Sequence, residues 1–113
     1  MRIRTTIAAA ACAVGIALSF PVSAHAADGP FFYSYGGGRV GVLESPRNWW
    51  CITLPEVEDE SVPPADTPYN ETDATATVFT GADCTGDHFT LRANGGHASS
   101  RLKLRSVFFS EPG

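Results

Sequence analysis

Basic residues are scarce in this chain: 8 Lys plus Arg stand against 12 Asp plus Glu, for a net charge of -4. That balance excludes a general nucleic-acid binder, which carries clustered basic surface. Cysteine is scarce too, with 3 in 113 residues, and none stands in a Cys-x-x-Cys knuckle. The knuckle spacings of structural zinc sites are therefore missing. No charge-free apolar run reaches the roughly 20 residues that a membrane-spanning helix needs. No Gly-x-Ser-x-Gly nucleophile elbow occurs, and no long segment has helical periodicity. The length allows one small domain.

What is present begins with Arg2 and Arg4, followed by an uncharged, Ala-rich run from Ile7 to Phe20 that Pro21 ends. Ala24-His25-Ala26 places small residues at the two positions that signal peptidase reads. This is the layout of a secretory signal peptide over 1–26, with cleavage expected after Ala26. Cys12 leaves with that segment. The remaining domain, 27–113, has 87 residues, 6 basic and 12 acidic, and a net charge of -6. Secretion is the expected localisation, with no membrane span and a monomeric state.

Two cysteines then remain, Cys51 and Cys84. Outside the cytoplasm a disulfide forms and persists, and a domain this small gains from one because it buries only about 60–65% of its unfolded surface. Two free thiols, or a zinc set completed by His88 and His97, are the alternatives. The separation of 33 residues and the missing knuckle favour the disulfide.

The apolar pattern is that of short strands. Phe31 to Tyr35 and Arg39 to Leu43 flank Gly36-Gly37-Gly38, as in a hairpin. Trp49 to Leu54 is a third β-prone run. In Ala74 to Val78 small apolar residues alternate with threonines. His88 to Arg92 alternates with Phe89 and Leu91 inward, and Asn94-Gly95-Gly96 is a turn. In Arg101 to Arg105 the leucines point inward and the charges outward. Ser106 to Phe109 breaks that phase, as a strand buried on both faces or bulged does. Six such strands with turn-rich links predict an all-β sandwich or barrel.

Pro55 to Asp73 reads differently. It holds four prolines and seven acidic residues, with no Lys or Arg. Proline removes backbone donors and the charges resist burial, so the reading is an acidic loop over 55–73. Glu58-Asp59-Glu60 lacks the alternating ligands and central glycine of a calcium loop. Arg101, Lys103 and Arg105 read as a basic stripe on the outward positions of a strand, where charge keeps the surface soluble. Strand alternation sends one ring of Trp49-Trp50 into the core and the other outward. Asp87-His88 with nearby serines has the residue types of a hydrolytic triad, but no strained nucleophile accompanies them. No catalytic residue, metal ligand or cofactor is expected, and the enzyme class is set aside because 87 residues leave little room for a buried pocket.

Phe79-Thr80-Gly81-Ala82-Asp83-Cys84-Thr85-Gly86 resembles the βγ-crystallin signature. That signature is an aromatic, four residues, a second aromatic, any residue, then glycine. Phe79 and Gly86 match, and Cys84 stands at the second aromatic position. Ser99-Ser100 and the closing Ser106 to Phe109 strand are also similar to that family. The resemblance covers about 74–109, one crystallin-like motif, and implies a Greek-key β-sandwich. Small secreted bacterial members include metalloproteinase-inhibitor and killer-toxin-like proteins. Many microbial relatives bind calcium, but Gly95 and Gly96 occupy the positions where that pattern has carboxylate or amide side chains, and Asn94 is one place early.

These readings converge on a secreted, disulfide-stapled binding domain directed at an extracellular protein, as a peptidase inhibitor or antagonistic factor. Candidate contacts are Glu58, Asp59 and Glu60 in the loop, with Trp49 and Trp50. The alternatives are a structural or surface module and a calcium-binding crystallin-like domain.

Overall fold

The computed structural model describes residues 26–111. The expected signal peptide lies outside these residues except for Ala26. Nine strands form: β1 (Pro30–Tyr35), β2 (Arg39–Glu44), β3 (Cys51–Thr53), β4 (Ala65–Asn70), β5 (Thr75–Phe79), β6 (His88–Leu91), β7 (Gly96–His97), β8 (Lys103–Leu104) and β9 (Ser106–Ser110). They build two antiparallel sheets, as the alternating pattern predicts. One has the order β2-β1-β4-β7, with β8 also paired to β4; the other has the order β3-β9-β5-β6. The first half of the chain thus sends one strand to the other half's sheet, and the second half sends β7 and the short β8. β3 pairs with β9, and β7 pairs with β4.

Alternation accounts for the core. In β5 Ala76 and Val78 face inward and are buried, while Thr75, Thr77 and Phe79 are half-buried on the other face. Phe31 and Tyr33 of β1 do the same. The Phe31 ring meets Phe109 of β9 edge-on, with centroids 5.4 Å apart. Contact of this kind adds about 1 kcal/mol beyond the area buried. Leu54, Val57, Leu104 and Val107 complete the layer between the sheets.

A buried asparagine joins the halves. The Asn70 side-chain amide donates to the carbonyls of Ala74 (2.8 Å), Leu91 (3.3 Å) and Arg92 (3.0 Å). Its Oδ1 accepts from the Thr72 amide and hydroxyl. The end of β4 is thereby tied to both β5 and β6, and a polar group inside the core is fully partnered.

Four sequence expectations are corrected here. The 55–73 stretch is not one loop: Ala65–Asn70 within it is strand β4, between irregular chain up to Pro64 and from Glu71 onward. Pro68 lacks a donor, yet its carbonyl accepts from Ala98 (3.1 Å), so it serves the sheet through its acceptor alone. Neither Trp49 nor Trp50 enters the core; they are 58% and 54% exposed. Trp49 takes φ 61, which breaks the alternation that predicted one ring inside. Arg105 does not lie on an outward stripe but is buried, at 9% exposure. The chain leaves one sheet after β8 and joins the other at β9, and Arg105 stands at that corner, where strand phase is reset. Phe89 shares the inner face with Val78, its cross-strand partner, but is 53% exposed because nothing among the described residues covers it.

Candidate functional site

The segment after β3 carries the acidic cluster. Leu54 is buried and its amide donates to the Arg105 carbonyl (2.9 Å), which fixes where the chain leaves the sheet. Pro55–Val57 make one turn of 3-10 helix, with proline at its first position. Val57 drops into the core. Glu56 accepts a hydrogen bond from the Tyr33 hydroxyl at 2.7 Å. Burial raises the ionisation of Tyr33 well above the usual phenol range, and the Glu56 carboxylate beside it raises it further.

The Arg105 guanidinium organises the rest. It donates to the carbonyls of Val57 (2.9 Å), Asp59 (3.1 Å), Glu60 (3.4 Å) and Val62 (2.7 Å). A planar fork with five donors suits this arrangement, in which one side chain satisfies four main-chain acceptors. Glu58, Asp59 and Glu60 are exposed on the turn so formed. Within it the Val62 amide donates to the Asp59 carbonyl (3.1 Å) and the Ser61 amide to the Asp59 carboxylate (2.8 Å). The Ser61 bond holds the Asp59 carboxyl below the ordinary carboxylate range. The basic partner of the loop was thus legible as a residue but not as a contact, because it binds carbonyls rather than carboxylates.

The two sets of candidate contacts are not brought together. Trp49 and Trp50 precede β3 and the acidic turn follows it, so they stand at opposite ends of that strand. The Trp49 ring packs edge-on against Phe108, with centroids 6.0 Å apart, and the Arg47 guanidinium lies 4.3 Å over the Trp50 ring. A second surface row was not read from the sequence. Exposed Val42, half-buried Phe32, and exposed Tyr69 and His97 are successive cross-strand neighbours from β2 to β7. Tyr69 was hidden because β4 lies among prolines.

Cys51 and Cys84 form the expected disulfide, with Cα atoms 6.0 Å apart. It attaches the 80–87 turn to β3. Gly86 takes φ +87, and a Cβ there would lie 2.4 Å from the Thr80 hydroxyl. Only glycine fits a turn folded this closely. The Ser106 hydroxyl completes the anchorage, donating to the Gly81 carbonyl (2.6 Å) and accepting from the Cys84 amide (2.8 Å). Phe79 stands at the end of β5, with its ring 5.9 Å from that of His88.

His88 and His97 are exposed, and the His97 ring bonds only the nearby Gly95 carbonyl at 2.9 Å. The disulfide takes both thiols that a zinc set would need. Among the described residues no three His, Cys, Asp or Glu side chains are gathered as a metal site requires. None of the helices among them is long and apolar enough to cross a membrane. Comparison with known proteins found no family model, no curated protein and no solved structure that matches the chain.

Proposed function

We propose that the protein is a secreted, non-catalytic binding domain of βγ-crystallin-like Greek-key type, which presents the Glu58-Asp59-Glu60 turn to a basic surface on an extracellular protein. One observation carries this reading: Arg105 clamps four carbonyls of the turn and hydrogen-bonds none of its carboxylates. A segment ordered before binding loses less entropy on binding, which favours a recognition loop. The Cys51–Cys84 disulfide adds to that rigidity, since the turn lies within the ring it closes. The Greek-key part of the reading is supported by the exchange of β3 and β7 between the sheets. The positive φ of Gly86 in the signature-like turn supports it further.

Within this class the reading we favour is a peptidase inhibitor. The test is titration of the protein cleaved after Ala26 against a panel of extracellular peptidases. Inhibition that weakens with salt, and is lost when Glu58, Asp59 and Glu60 are replaced by lysine, is the expected result. A panel in which no peptidase is inhibited or bound overturns the inhibitor assignment.

A further inference from the structure

The two halves of the fold repeat one arrangement, and one difference between them concerns the inner face. In the first half, β1 and β2 pair Tyr33 with Gly41 on the inner face; in the second, β5 and β6 pair Val78 with Phe89. The large and small members have exchanged strands. The Tyr33 ring lies across Gly41 so closely that a Cβ there would be 2.4 Å from it. The segment Leu54–Val57 then closes that mouth of the sandwich, with Leu54 and Val57 buried and Glu56 on the Tyr33 hydroxyl.

The counterpart mouth is open. There the connection after the crossing strand runs from Ala98 to Arg105, three residues shorter than Leu54 to Pro64. It leaves a cleft of about 660 Å³ between itself and β6. Phe89 and Leu102 give its lining an apolar part, and Arg101, Lys103, His88 and Asp87 a polar one. A volume of this size lies within the range of specific binding sites. Lys103 reaches Asp66 at 3.5 Å, the one salt bridge among the described residues, so Arg101 has no ion-pair partner there.

We infer that this cleft binds a short segment of a partner protein carrying an apolar side chain next to a carboxylate. The molecule's own Leu54–Val57 supplies that chemistry at the matching place in the first half. The apolar side chain would cover Phe89 and Leu102, and the carboxylate would meet Arg101. Asp87 also lines the cleft and disfavours a strongly acidic segment. The site is separate from the acidic turn, which belongs to the other half's mouth.

The probe is a capped peptide, Thr-Leu-Pro-Glu-Val-Glu, copied from residues 53–58 and added to the isotopically labelled protein cleaved after Ala26. Saturable amide shifts at Phe89, Arg101 and Leu102 are expected. Loss of this exposed ion pair in Arg101→Ser weakens binding about fivefold. The peptide with both glutamates replaced by glutamine weakens similarly. Phe89→Ala, an exposed position that the fold tolerates, abolishes the shifts. Absence of saturable shifts at these residues, or affinity unchanged in Arg101→Ser, overturns the inference. Isovalerate binding as tightly as the peptide overturns it in favour of a small organic acid. No basic partner enters this experiment, so its failure leaves the acidic-turn reading to its own test.

Discussion

Arg105 reaches 43 residues back along the chain to bond the Val62 carbonyl at 2.7 Å. Replacing Arg105 by methionine keeps much of the buried stem and removes the guanidinium bonds to the carbonyls of Val57, Asp59, Glu60 and Val62. A loss of about 3 kcal/mol in urea unfolding is expected, from the buried Val57 acceptor and the part-buried bonds beside it. Arg105→Lys should recover less than half of it, because a point charge cannot span four acceptors. Main-chain amide exchange at 57–62 should rise in both variants.

Alkaline titration should set Tyr33 apart. Its ionisation is raised in the folded state, so its contribution is fully present below the ordinary phenol value of about 10 and is lost as pH rises beyond it. The Tyr33 share of the phenolate absorbance should therefore appear only as the protein unfolds. Tyr33→Phe keeps the ring over Gly41, loses the Glu56 bond at a cost of about 1 kcal/mol, and removes this part of the alkaline loss.

Gly86→Ala tests the folded 80–87 turn. The positive φ and the approach to Thr80 together predict a destabilisation of about 2 kcal/mol. Thermal unfolding measures it, and amide exchange should localise the loosening to 80–87.

Replacing Cys51 and Cys84 by serine opens the covalent ring. The chain-entropy account predicts a loss of about 3–4 kcal/mol for a loop of this length. The two-sheet circular dichroism signature should persist at low temperature, because neither cysteine belongs to the central core cluster.

The parts of the fold that follow one local rule were legible in the sequence. Ala76 and Val78 alternate with threonines, and the burial obeys that period. The cysteine pairing followed from number and the expected compartment. The parts set by a change of rule were not legible. β4 was concealed by Pro68, whose carbonyl still serves the sheet. Trp49 left the core because a single positive φ inverts the side chains that follow. Arg105 looked like the last outward charge of an alternating strand, when it stands at the corner between two sheets. The candidate turn was found by its composition, whereas its rigidity came from a residue far along the chain that composition does not connect to it.

That Arg105 holds carbonyls and not carboxylates makes the shape of the turn independent of what it displays. Any residue types compatible with the backbone at 58–60 keep the same four acceptors, so the three side chains can be rewritten without moving the frame beneath them. High salt would silence the display and leave its geometry intact. On the proposed reading, specificity would drift by point substitution at 58–60 while stability rests on a different residue.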